Sequence, residues 1–175
     1  MKIQKADLSC HFDAIKEIFF LCSSRKKFES NFEKEVFFNR WTTYYVEFCP
    51  DEILVAVDEK GIVAGYLMGC SDSLKAEKKI SEQLPAYSVF SDLFEEYPSH
   101  FHINCHPNFQ GQGIGTKLLQ HYCLAQNKGV HLVTSTDAKN IEFYRRNGFT
   151  YSSTRKWKGI NLLFLGRAKL NPQIK

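Results

Sequence analysis

Three glycines at alternate positions, Gly111, Gly113 and Gly115, follow Gln110 and run into Ile114, Leu118, Leu119 and Tyr122, which have the spacing of an apolar helix face. A strand, a glycine-rich turn and a helix form a generic anion site. The first amides of the helix point outward, its dipole adds positive potential, and glycine lets a phosphate approach the backbone. The spacing excludes two familiar phosphate ligands. A mononucleotide P-loop needs G-x-x-x-x-G-K-[ST], but Thr116 stands at the required distance from Gly111, and Lys117 precedes Leu118 rather than a hydroxyl. A dinucleotide fingerprint needs G-x-G-x-x-G, whereas positions 111, 113 and 115 give G-x-G-x-G with no acidic residue placed for a ribose.

The elements that must position this loop read as a mixed α/β order, β-α-α-β-β-(insert)-β-α-β-α-β-β. Residues 3–6 suggest a first strand. Ile15, Ile18, Phe19 and Cys22 form a helical stripe, started by Asp7 or Ser9. Ser30 and Glu33 have the form of a capping box opening a helix through Phe37, Trp41, Tyr44, Tyr45 and Phe48, which Pro50 ends. That aromatic stripe reads as core packing or one wall of an acceptor pocket. Residues 53–57 and 62–68 form a hairpin about Asp58-Glu59-Lys60-Gly61. Residues 71–98 read as a polar insert with a helical piece around 87–95. Phe101, Ile103 and Cys105 alternate with His102, Asn104 and His106, so one strand face buries the first three and the other presents the polar three. Strands at 130–134, 149–153 and 160–165 and a helix at 140–147, stopped by Gly148, complete the chain.

At 175 residues, 43% hydrophobic and 24% charged, the chain is expected to be a single domain spanning 1–175, able to bury a core unaided. A net charge of +4 with dispersed basic residues argues against nucleic acid but would help to draw in a polyanionic small molecule. The six cysteines show no CxxC pair and no zinc spacing, and read as buried thiols in a reducing cytoplasm with no metal. No signal-peptide pattern or membrane-length apolar run is present, so no membrane partner is expected.

Gln110-x-x-Gly113-x-Gly115 fits the signature [QR]-x-x-G-x-[GA], and here the chain resembles the GNAT family of acetyl-CoA-dependent N-acetyltransferases. "INCHPNFQGQGIGTKLL" looks like that family's fourth strand and pyrophosphate loop, and "DAKNIEFYRRNGF" like its later helix. The segments "MGCSDS", "YPSHFHI" and "GVHL" look most like acetyltransferase-like domains related to O-GlcNAc hydrolases.

The resemblance implies a single-domain GNAT-like α/β fold, with a mixed central sheet splayed between the strands at 101–106 and 130–135 and flanked by helices. Acetyl-CoA, as co-substrate, would lie in the splay, with contacts expected at Cys105, Gln110, Gly111, Gln112, Gly113, Ile114, Gly115, Thr116, Asp137 and Tyr144. Tyr144 matches the tyrosine that protonates the departing thiolate, an acid whose ordinary pKa of ~10 suits that task. Asp137 stands where the family usually has Asn, and reads more readily as a helix N-cap. Attack on the thioester requires a neutral amine, so a base is sought among His102, Asn104 and His106. Asn104 is an amide where relatives often place a carboxylate, which leaves His102 as first choice and His106, next to Pro107, as more structural. Asp72 either orients the acceptor or caps a helix at Ser73. Arg145 and Arg146 either touch CoA phosphates or are solvated. Cys105 is a nucleophile in principle, but its inward phase argues against that role. The acceptor would be a small-molecule or peptide amine and the protein a monomer or homodimer. The other reading is an acyl-CoA-binding pseudoenzyme or regulatory module without turnover.

Overall fold

Side-chain caps set the first two helices. In the computed structural model, which describes residues 1–169, strand β1 (Lys2–Lys5) leads to helix α1 (Leu8–Cys22), where the Asp7 carboxylate accepts from the Ser9 amide at 2.9 Å. Helix α2 (Asn31–Phe48) begins with Ser30 Oγ accepting from the Glu33 amide at 3.1 Å. Glu33 reaches back to the amide of Glu29 at 2.7 Å, one residue earlier than an ordinary capping box would close. The inward face of α2 is Phe38, Thr42 and Tyr45, so the expected stripe through Trp41 and Phe48 is rotated off the core; these two side chains keep 39% and 49% exposure. Adjacent phenylalanines at 37 and 38 fit either stripe.

Strands β2 (Ile53–Val57) and β3 (Val63–Cys70) are buried along their length and pair antiparallel, while β1 pairs antiparallel with β2. Their turn is closed by the Asp58 carboxylate, which accepts from the amides of Lys60 and Ile62 at 2.8 Å each. Helix α4 (Ile114–Ala125) lies against β3 because Gly69 has no side chain: a Cβ there would stand 2.1 Å from the Tyr122 ring. Strand β4 (Ser99–Cys105) passes beside β3, with the His106 amide donating to Ala64 O at 2.9 Å.

The seven strands form a mixed sheet in the order β1-β2-β3-β4-β5-β7-β6 with flanking helices, an α/β fold. Contacts divide the chain into two compact units. Residues Met1–Gly69 and His102–Tyr122 form the first, and Cys70–Phe101 with the described residues from Cys123 to Lys169 form the second. The second contains helix α3 (Ser73–Gln83), a 3-10 stretch (Pro85–Leu93), β5 (Val130–Ser135), α5 (Ile141–Arg146), β6 (Tyr151–Trp157) and β7 (Ile160–Arg167). Within the insert, α3 starts at Ser73, the cap alternative given for Asp72, but its length has no apolar stripe to announce it. Its inward residues are Ser73, Ala76 and Ile80, two of them too small or polar to register as an apolar stripe.

Phe90, Phe94, Tyr97 and Phe164 form the core cluster of the second unit. Full burial of each large side chain is worth roughly 1.5–3 kcal/mol. Arg155 fastens the 3-10 stretch to β6 with a two-pronged bond to Asp92, at 2.5 and 2.7 Å, and a bond to Val89 O at 2.6 Å. Strand β5 pairs antiparallel with β7 over six residues, whereas its parallel register with β4 covers Ser99↔Val130 and His100↔His131. The expected burial of all six thiols is not observed. None is in a disulfide, Cys70 alone is buried and Cys10 is exposed.

Candidate functional site

In the first unit, β4 delivers the chain to a short 3-10 turn, Pro107–Phe109, which His106 caps by accepting the Asn108 amide on Nδ1 at 3.2 Å. That bond gives His106 the structural role expected of it. The Gln110 side chain then turns back and donates to Cys105 O at 3.1 Å, tying the loop to the strand end. Gly111 and Gly113 have φ of 77° and 76°, a left-handed backbone that disfavours any side chain, and the space where a Cβ would stand is open at both. The helical bond from the Lys117 amide to Gly113 O, 3.0 Å, starts α4. Among the described residues no acceptor takes the amides of Gly111 through Thr116. Six unpartnered donors at the start of a twelve-residue helix can hold a diphosphate without a charge-matched side chain, so the loop fits the group the sequence implies.

A second cluster in this unit joins β3 and β4. The Tyr66 hydroxyl lies 3.2 Å from His102 Nδ1, and Asn104 Nδ2 donates to the same hydroxyl at 2.9 Å. The His102 ring stacks on Tyr66, with centroids 5.8 Å apart, and lies 5.7 Å from Phe19 and 6.3 Å from Trp41. His102 keeps partial solvent exposure, yet this packing desolvates it and lowers its pKa to about 4. Burial also pushes the Tyr66 phenol well up. His102 and Asn104 share a strand face beneath aromatic rings of α1 and α2, but the expected burial of the other face holds only for Phe101, since Ile103 and Cys105 are half-buried. Tyr66 was missed, because strand register is not printed in a sequence. Trp41, foreseen as core or pocket wall, flanks the histidine.

Cys105 is half-buried beside Gly65, where a Cβ would meet its sulfur at 3.2 Å. Burial first, and then the neighbouring Cys22, raise its thiol to about 11, which argues against a thiolate nucleophile. At the α1–α2 connection a cavity of about 440 Å³ is lined by residues including Phe20, Arg25, Lys26 and Lys34. Its cations are engaged: Lys26 donates to Leu21 O at 2.8 Å, Arg25 pairs with Glu33, and Lys34 lies over the Phe20 ring.

In the second unit, Tyr144 is 7% exposed on α5, against Phe101 and Phe149 at 6.2 and 5.9 Å between centroids. Asp137 does not cap this helix. Asn140 occupies the cap position, and Asp137 instead pairs with the Ser135 hydroxyl across the turn leaving β5. Asp72 does cap a helix, accepting from the Lys75 amide at 3.0 Å at the start of α3. Arg145 pairs with Glu142 on the exposed face of α5. Among the described residues no group of three or more His, Cys, Asp or Glu side chains is placed to hold a metal ion, and no helix is long and apolar enough to cross a membrane.

Comparison with known proteins agrees with the loop chemistry. Residues 50–151 match the family model of the acetyltransferase (GNAT) domain. Among solved structures, SsHAT is similar over 97% of this chain and 98% of its own, at 21% identity and a TM-score of 0.74. An N-acetyltransferase from Staphylococcus aureus Mu50 is similar over 95% and 100%, at 17% identity and 0.66. The structure of yncA from Salmonella typhimurium with its cofactor acetyl-CoA is similar over 100% and 97%, at 18% identity and 0.58. At these identities the structures speak for the fold, and the family model, covering more than half of the chain, speaks for the lineage: the protein belongs to the GNAT acetyltransferase family.

Proposed function

We propose that the protein is an acetyl-CoA-dependent N-acetyltransferase that moves the acetyl group to a primary amine by direct attack. The observation that carries this reading is the loop of unpartnered amides from Gly111 to Thr116. Gln110 to Thr116 would hold the CoA diphosphate, with Cys105 and Asp137 as further contacts. Acetyl-CoA supplies the thioester. The amine nitrogen forms its bond to the acetyl carbon as the carbon–sulfur bond breaks, nitrogen loses one proton, and the departing sulfur takes one. Tyr144 is assigned as the donor of that last proton. His102 and Asn104 are assigned to the acceptor side, and Asp72 to the edge of the acceptor site in addition to its cap. The acceptor is a small-molecule or peptide amine. The narrower likeness to domains related to O-GlcNAc hydrolases rests on "MGCSDS", "YPSHFHI" and "GVHL" alone. A reducing cytoplasm suits six cysteines that form no disulfide.

Calorimetry with acetyl-CoA tests the loop. Gly113→Glu places a carboxylate against the diphosphate and should weaken binding at least about 100-fold. Gly61→Glu, at an equally left-handed position with open space around it, controls for backbone strain. Equal binding by both variants and the wild type would sink the cofactor assignment. Tight binding with no CoA release above background across an amine panel would favour the module without turnover, a reading that an amide rather than a carboxylate at position 104 supports.

A further inference from the structure

We propose that Tyr66 and Asn104 hold His102 as the neutral Nε2–H tautomer, so that His102 offers the acceptor a hydrogen-bond donor and not a base. The direction of the chain of bonds carries the argument. Asn104 Nδ2 has only hydrogens to give, so the Tyr66 oxygen accepts from it at 2.9 Å. The Tyr66 oxygen could accept a second bond, but the side chain is 0% exposed, and among the described residues its one other polar neighbour in the hydrogen bonds is His102 Nδ1, 3.2 Å away. A phenolic hydrogen not given to that nitrogen would be buried unpaired, so Nδ1 presents a lone pair. A neutral imidazole with its lone pair on Nδ1 carries its proton on Nε2.

Two further observations keep the ring in that state and leave the proton available. The packing of Phe19, Trp41 and Tyr66 around His102 disfavours the imidazolium down to acid pH. Nε2 has no partner among the described residues, and it is not among the side-chain atoms sealed from water without one. An N–H group in that position bonds an oxygen or a nitrogen lone pair and repels an ammonium ion. His102 therefore favours an acceptor that presents an oxygen beside its neutral amine, and the amine proton leaves to water. Tyr66 and Asn104 act through His102 and are positioning residues. The donor role rests on the acetyltransferase reading, whereas the tautomer does not.

Long-range ¹⁵N–¹H correlation spectra of histidine-labelled protein at pH 7 read the tautomer directly, with His102 assigned by the signals lost in His102→Gln. The expected wild-type pattern is a protonated Nε2 and an unprotonated Nδ1. Asn104→Asp supplies a carboxylate that accepts from the Tyr66 hydroxyl, so the Tyr66 oxygen must accept from Nδ1–H and the tautomer should invert. In turnover assays His102→Gln, which keeps a donor, should stay within about tenfold of the wild type and above His102→Leu. Loss of a base would cost about 100-fold or more in both. A wild-type Nδ1–H pattern, or equal losses in the Gln and Leu variants, overturns the proposal. A wild type inactive on every amine removes the acetyltransferase reading and with it the donor role, while the spectrum still decides the tautomer.

Discussion

Strand β4 carries His100 and His102 two residues apart, and the molecule treats them oppositely. His100, 4% exposed, shares Nδ1 with the Ser73 hydroxyl at 2.8 Å and the Tyr87 hydroxyl at 3.1 Å. Its neighbour in the second unit, His131, is 1% exposed and sandwiched between Phe94 and Phe164, with centroids 4.9 and 4.8 Å away. Its Nδ1 lies 2.6 Å from Tyr97 O, and since a carbonyl only accepts, Nδ1 donates. Burial holds all three rings neutral: His102 and His131 sit at about 4, and His100 well below its ordinary value. A depressed pKa therefore does not separate a site from a core. The difference lies in exposure: His102 keeps partial exposure beneath the aromatic rings of α1 and α2, whereas His131 is enclosed between its two phenylalanines.

The sharpest way to break this contrast is to empty the His131 position. His131→Ala removes a ring stacked on both faces and strands Tyr97 O, and should cost about 3 kcal/mol or more, read by urea unfolding. Acetyl-CoA affinity of the folded fraction should stay within about twofold. A large loss of affinity at unchanged stability would make His131 a cofactor-binding residue and not a core one.

Acid comes next in size. A histidine whose folded pKa is lowered contributes stability that is fully present above its unfolded value of ~6.5, falls as pH drops through the window to about 4, and is constant below that. His131 alone should lose roughly 3 kcal/mol across that window, and His100 and His102 act in the same direction. Unfolding at pH 7 and pH 4.5 measures the fall. His131→Gln, which keeps a donor for Tyr97 O and does not titrate, should flatten the slope by about one proton. An unchanged slope would mean that water already reaches the ring.

What was legible in the sequence divides along the same line. Backbone chemistry was readable: the glycine turn between strand and helix, the cap at Ser30 and the choice of Asp7 or Ser9 as the first cap follow from residue type and local spacing, and the structure adds the positive φ of Gly111 and Gly113. Partners across strands were not. Tyr66 meets His102 through the register of β3 and β4, although the two stand 36 positions apart in the chain. Helix α3 was legible only at its start, as the cap alternative for Asp72; its body hid behind Ser73 and Ala76, whose burial depends on close approach rather than on hydrophobicity. Asp137 failed as a cap because the Ser135 hydroxyl offered a nearer partner before the helix began.

Tyr144 tests whether a buried ring can belong to the working class. It is 7% exposed and packs on Phe101 and Phe149, as a core tyrosine would. If its phenol supplies the proton to sulfur, Tyr144→Phe keeps the packing and should lower kcat about 100-fold, close to 2.7 kcal/mol, with little change in acetyl-CoA affinity. Unchanged kcat with lowered stability would move Tyr144 to the side of His131.

Asp72 makes the finest discrimination, since its carboxylate has one visible task. It accepts from the Lys75 amide and starts α3. Replacing it with alanine leaves that donor to water and should cost about 1 kcal/mol, while Asn or Ser, which also cap, should recover most of it. A cap acts on stability alone, so kcat/KM of the folded enzyme equal to that of the wild type in both Asp72→Ala and Asp72→Asn would remove Asp72 from the acceptor site. If both substitutions instead raise KM for the amine about tenfold or more, Asp72 is also touching an ammonium group.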